Sequence, residues 1–161
     1  MDGLTKGNSD LAVSVFPDVD ASIQRIELLR ETYSVAMRKA HPAAADFTLA
    51  RWLAFPHILV SGRGETQTPL DRSLAQRGLH RRVGMVLPSF LMVPPLLLAS
   101  DMIAMLPSRC LPSNTADDFA VFAPPIPAEG FPLHLAWHNR RRGDAGVQHV
   151  ATMIRDLLKP E

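Results

Sequence analysis

Hydrophobic and polar positions change period several times along the chain. Asp10 to Phe16, "DLAVSVF", is a short apolar run with β-branched members. The turn Gly7-Asn8-Ser9 precedes it and Pro17-Asp18 ends it, so it predicts a buried strand. In "QRIELLRETYSVAMRKAHP", Ile26, Leu28 and Leu29 fit either a helical or a strand period, whereas Tyr33, Val35 and Met37 alternate with Ser34, Ala36 and Arg38 and favour a strand. Thr48 to Leu53 predicts a short helix capped by Thr48, and Pro56 then precedes a strand over His57 to Val60. Pro69 to Gln76 predicts a helix stopped at Gly78, and Arg82 to Leu87 a strand. Ser89 caps the next expected helix, which ends near Ser100, and "MIAMLP" follows as a strand. Phe119 to Phe122 and Leu133 to Trp137 predict strands separated by the loop "APPIPAEGFP". The last helix is expected over Gly146 to Leu158, with Val147, Val150, Ile154, Leu157 and Leu158 as its apolar stripe. Strands alternating with helices imply an α/β fold with mostly parallel pairing.

One stretch has nearly the length of a membrane span. Val83 to Ser100 carries no charge, but Pro88, Pro94 and Pro95 interrupt it, and each proline removes a backbone donor. It reads instead as a buried strand, a turn and a short helix. The chain has 161 residues, of which 47% are apolar, enough for one domain or two small lobes. A net charge of +1 argues against a dedicated nucleic-acid surface. The single cysteine, Cys110, cannot form an internal disulfide, which suits a reducing compartment, and "MDGLTKGNSD" has no signal-peptide core; a cytoplasmic location is expected.

The candidate chemistry lies at strand ends. Ile58-Leu59-Val60 stops at Ser61-Gly62-Arg63-Gly64 and then feeds a helix. No Lys-Ser/Thr pair follows these glycines and no third glycine completes a dinucleotide fingerprint, so neither phosphate motif is present. The turn reads either as a tight strand-to-helix connection or as a polar wall offering Ser61, Thr66 and Thr68 hydroxyls and the N–H groups of the helix start. Ser89-Phe90 and the end at Phe16-Pro17-Asp18 are similar places, and ligands of open α/β sheets lie beyond the carboxyl ends of strands. His134 and His138 would face the same way on a strand, but two ligands do not make a zinc site. No Gly-x-Ser-x-Gly elbow is present, Cys110 has no activating neighbour, and Arg140 to Arg142 reads as a solvated turn. No catalytic residue, metal or cofactor is expected.

The segments "SDLAVSVFPD", "RETYSVAMRKAHPAA", "LARWLAFPHILVSGRGETQTPLDRSLAQRGLHRRV", "PSFLMVPPLLLASDMIAMLPSRCL" and "FPLHLAWHNR", in this order, resemble the effector-binding domain of LysR-type transcriptional regulators. The resemblance covers nearly the whole chain and rests on order together with the His-Pro, "DMIAMLP" and "LAWH" landmarks. It implies two α/β lobes like those of type II periplasmic binding proteins, with a small metabolite held between them. Residues 1–26 would belong to lobe one, 27–110 to lobe two, and 111–161 would return to lobe one. Phe16, Pro17, Ser61, Gly62, Thr66, Ser89 and Phe90 would then bind the effector, expected to be an organic anion.

The family's winged helix-turn-helix, linker helix and first lobe-one elements have no counterpart in this sequence. DNA would be reached only through such a helix-turn-helix, and no residue here is expected to touch it. Pro95 departs from a helix-friendly position. Loss of lobe-one partners would expose Val13, Phe16, Val121 and Leu135, and lobe two, Leu28 to Leu106, would be the stable half. Two functions follow. One is the ligand-sensing module of a regulator. The other is a truncated binding or dimerisation module that pairs with itself or with intact regulators; neither is a membrane protein or an enzyme.

Overall fold

The computed structural model describes residues 2–16, 18–111 and 117–158. The chain divides into two compact units, one of residues 1–31 with 130–161 and one of residues 32–129.

The first unit holds a three-stranded sheet in the order β1-β8-β2, with β1 at Ala12–Ser14, β2 at Ile23–Glu31 and β8 at Phe131–His138, both pairings antiparallel. The register of β2 on β8 shifts between Glu27 and Leu29, so Ile26 opposes Leu135 and Leu29 opposes Leu133. A β-bulge at Leu28 therefore puts positions three apart on one face. That spacing imitates a helix, which is why the sequence pattern here fits both periods. Helix α1 (Asp2–Lys6) packs Leu4 with Phe16, Ile23 and Ala136 into a small core. Helix α5 (Ala145–Leu157) starts where the Asp144 carboxylate accepts from the N–H groups of Gly146 and Val147. It buries Val147 and Ala151 but leaves Val150, Met153 and Leu157 exposed.

The second unit is built on a five-stranded sheet in the order β5-β4-β6-β3-β7. These are β3 at Tyr33–Arg38, β4 at His57–Val60, β5 at Val83–Leu87, β6 at Ile103–Pro107 and β7 at Phe119–Phe122. β4 runs parallel to β5 and β6, whereas β3 is antiparallel to β6 and β7. The expectation of mostly parallel pairing is thus corrected: β3 runs against β6 on one side and β7 on the other, and the whole sheet of the first unit is antiparallel. Alternation sends Val35, Met37 and Ile103 to one face and Ala36, Ala104 and Leu106 to the other. Trp52 of α2 (Leu49–Ala54) and Leu70 and Leu74 of α3 (Pro69–Ala75) cover the first face. Val93 and Leu97 of α4 (Val93–Leu98) cover the second.

Several local expectations can be checked atom by atom. Thr48 Oγ1 accepts from the Arg51 N–H and caps α2. Gly78, at φ +67°, closes α3 with bonds from Leu79 N to Leu74 O and from Gly78 N to Ala75 O, a Schellman closure. Val83 to Ser100 resolves into β5, a 3-10 turn over Phe90–Met92 and α4. Pro94 and Pro95 sit in the first turn of α4, where a missing N–H costs no intrahelical bond. Ser89 caps the 3-10 turn through the Leu91 N–H, one turn before α4 itself. No helix among the described residues is long and apolar enough to cross a membrane.

Candidate functional site

A cavity of about 480 Å³ lies within the second unit, beyond the carboxyl ends of β4 and β5. Leu59 and Val60 from β4, Leu70 from α3, Met105 from β6, Phe90 and Pro127 give it an apolar body. Tyr33, Thr68, Ser73, Arg81 and Glu129 supply its polar groups. That mixture of an apolar body and a few polar groups is the usual make-up of a small-molecule site, and 480 Å³ is within the usual size.

Arg81 is the best-fixed polar group. Its side chain is only 2% exposed and grips Asp71 with both ends of the guanidinium fork, Nε to Oδ1 at 2.7 Å and Nη2 to Oδ2 at 3.0 Å. Nη2 also donates to Thr68 Oγ1 at 3.2 Å. Asp71 in turn accepts from the Thr68 backbone N–H at 2.7 Å and from the Thr68 hydroxyl at 2.6 Å. Burial alone would raise the Asp71 pKa, but the bonds from Arg81 and Thr68 outweigh it and hold the carboxyl down at about 2. The Arg81 Nη1 group and the Ser73 hydroxyl have no hydrogen-bond partner among the described residues.

This arrangement sets the local charge. Asp71 occupies the first turn of α3, the place where an external anion would meet the helix dipole. At an effective dielectric near 20, a unit charge about 4 Å away is worth about 4 kcal/mol. The Asp71 carboxylate therefore cancels most of what Arg81 offers to a second anion. Glu129 adds another negative group at the exposed rim. On the nearby turn, Arg63 and Glu65 are both exposed and of opposite sign.

Of the residues expected at the site, Phe90 lines this cavity. Ser61, Gly62, Thr66 and Ser89 are not among its lining residues. The Ser61 hydroxyl is occupied within its own turn, accepting from the N–H groups of Arg63 at 3.3 Å and Glu65 at 3.0 Å. A Cβ on Gly62 would meet nothing within 4 Å, and Thr66 is exposed. Phe16 belongs to the small core of the first unit, and Pro17 lies outside the described residues. Tyr33, Arg81, Met105 and Glu129 were not legible as site residues because they come from distant parts of the chain. Asp71 had a local signal, Thr68-Pro69-Leu70-Asp71, which is a capping-box pattern.

His57 and His138 are held by backbone partners. His57 is fully buried, and its Nε2–H donates to the Trp52 carbonyl at 2.9 Å. Burial lowers its pKa to about 4, so the ring is neutral. His138 Nδ1 accepts from the Arg140 N–H, and no group of three or more potential metal ligands occurs among the described residues.

The family model for the LysR substrate binding domain matches residues 1–159. The chain belongs to the LysR substrate-binding domain family. It is 28% identical over 162 residues to the HTH-type transcriptional activator NagR of a Ralstonia species, an alignment covering 96% of this chain and 52% of that protein. The regulatory domain of MexT, a transcriptional activator in Pseudomonas aeruginosa, has a TM-score of 0.79 and 25% identity, with 96% of this chain and 76% of that one covered. The effector-binding domain of QuiR in complex with shikimate shares the fold at a TM-score of 0.73 and 16% identity, over 97% of this chain and 75% of that one. The fold is thus the α/β, periplasmic-binding-protein-like fold of LysR effector domains. This LysR chain spans about half the length of the curated relatives it matches, and those relatives are transcriptional regulators.

Proposed function

We propose that this chain is the ligand-sensing part of a LysR-type regulator, and that it binds a small organic effector. The observation that carries the reading is the 480 Å³ cavity at the carboxyl ends of β4 and β5, with Arg81 clamped in its wall. Ser61, Gly62, Thr66 and Ser89 remain proposed as flanking residues. The test is a thermal-shift screen of small aromatic and aliphatic acids, amides and phenols, because a ligand that binds only the folded state raises its stability by mass action. A hit whose affinity survives Phe90→Ala unchanged would count against this cavity.

Self-association is a second reading, and one observation favours it. Val150, Met153 and Leu157 are 45%, 52% and 79% exposed and share one side of α5. Their apolar surface would pair with a second copy of the chain or with another regulator. Sedimentation of the wild type against Leu157→Lys tests this; the substitution should shift the equilibrium towards monomer.

A further inference from the structure

The charge pattern of the cavity says something about the ligand. Arg81 is its one cationic lining group, and its fork is already closed by Asp71 and Thr68. Glu129 is the other charged lining group, and it is negative. A bound carboxylate would thus meet one cation and two carboxylates, with the first turn of α3 already taken by Asp71. What remains unused suits a neutral partner. The Arg81 Nη1 group can donate to a carbonyl or hydroxyl oxygen, and the Ser73 hydroxyl can donate or accept. Around them Leu59, Val60, Leu70, Phe90 and Met105 offer an apolar wall.

We infer that the cavity selects an uncharged ligand with a largely apolar body and a carbonyl, amide or hydroxyl group that is read by Arg81 Nη1 and Ser73, and that it discriminates against carboxylates. This rests on the effector reading above and replaces the organic anion expected from the sequence. That expectation relied on a free helix start, where the Asp71 carboxylate already accepts from the Thr68 N–H.

The test compares isosteric probes, 2-naphthamide with 2-naphthoate and benzamide with benzoate, by calorimetric titration at fixed pH and ionic strength. The amides should bind at least about tenfold more tightly than their acids, a difference of about 1.4 kcal/mol. Glu129→Gln, at an exposed position, should strengthen naphthoate binding several-fold more than it changes naphthamide binding. Asp71→Asn, checked for folding by its melting curve, should favour the acids. Equal or tighter binding of the acids by the wild type would overturn the inference and leave the effector reading standing, and so would a naphthoate affinity unaffected by Glu129→Gln. Failure of all four probes to bind at millimolar concentration would overturn both.

Discussion

The two units solve the burial problem differently. The second unit covers both faces of its five-stranded sheet, and Trp52, Met37, Leu74, Leu97 and Ile103 are fully buried there. The first unit has a three-stranded sheet and a core of Leu4, Phe16, Ile23 and Ala136, while α5 leaves Val150 and Leu157 of its apolar stripe in water. Parallel pairs need helices on both faces, and the second unit supplies them. It also gathers the groups whose protonation is most perturbed, Asp71 and His57, beside or beneath its cavity wall. One unit therefore combines the deeper core with a cavity whose wall is fixed by the Arg81–Asp71 pair.

The largest contrast should come from core truncation. Trp52→Ala should cost about 3–5 kcal/mol, since it removes a fully buried indole. Met153→Ala and Leu157→Ala in the first unit should stay within about 0.5 kcal/mol, because both side chains are mostly in water. Urea melts of the three variants measure this, and a costly Leu157→Ala would break the comparison.

Breaking the clamp should rank next. Asp71→Ala leaves the Arg81 charge buried without its partner, which typically costs about 3–5 kcal/mol; the partial exposure of Asp71 places the effect at the lower end. A melt of this variant beside Lys6→Ala, whose pair with Asp2 is exposed, should show a large and a negligible loss.

Acid should separate the units further. His57 has its pKa lowered by burial from 6.5 to about 4, so the unfolded state binds its proton first. Its stabilising contribution is full above about pH 6.5 and is lost as pH falls from there through 4. Asp71, lowered from 3.8 to about 2, contributes fully above about pH 4 and loses that contribution as pH falls towards 2. The two tryptophans, Trp52 in the second unit and Trp137 in the first, serve as separate reporters. In Trp137→Phe the Trp52 fluorescence should report destabilisation between pH 6.5 and 4, and His57→Gln should flatten that slope.

Glycine closures should give the smallest effects. Gly78→Ala, at φ +67°, should cost about 1 kcal/mol, whereas Gly143→Ala in the first unit meets nothing within 4 Å and should be near neutral. Ser89→Ala should cost at most about 0.5 kcal/mol, since it caps a single 3-10 turn.

The legible and illegible parts of this chain divide along physical lines. β4 and β7 have the ends expected for them, because Pro56, Ser61 and flanking polar residues punctuate short apolar runs. Thr48 and Gly78 act as cap and stop because such signals are local. β2 was ambiguous because its bulge at Leu28 breaks the two-residue period that identifies strands. Strand direction was misjudged because alternation of strands and helices does not fix it: α2 lies between β3 and β4, yet β3 runs opposite to β4. Exposure was half legible: Val13 and Val121 are exposed as expected, but Phe16 and Leu135 are buried by packing that the pattern of one segment does not reveal. The same holds for the site. Phe90 could be placed from its strand end, whereas Arg81 acquires its role only by meeting Asp71, ten positions away, across the α3 turn.

The central claim is that a ligand occupies the cavity lined by residues of the second unit. Hydrogen exchange of the whole chain with and without 2-naphthamide tests it most directly. Protection should concentrate at residues 59–60, 68–73, 81–90 and 127–129, with little change over 2–31 and 130–158. Protection centred on 12–16 and 131–138, with the second unit unchanged, would contradict it.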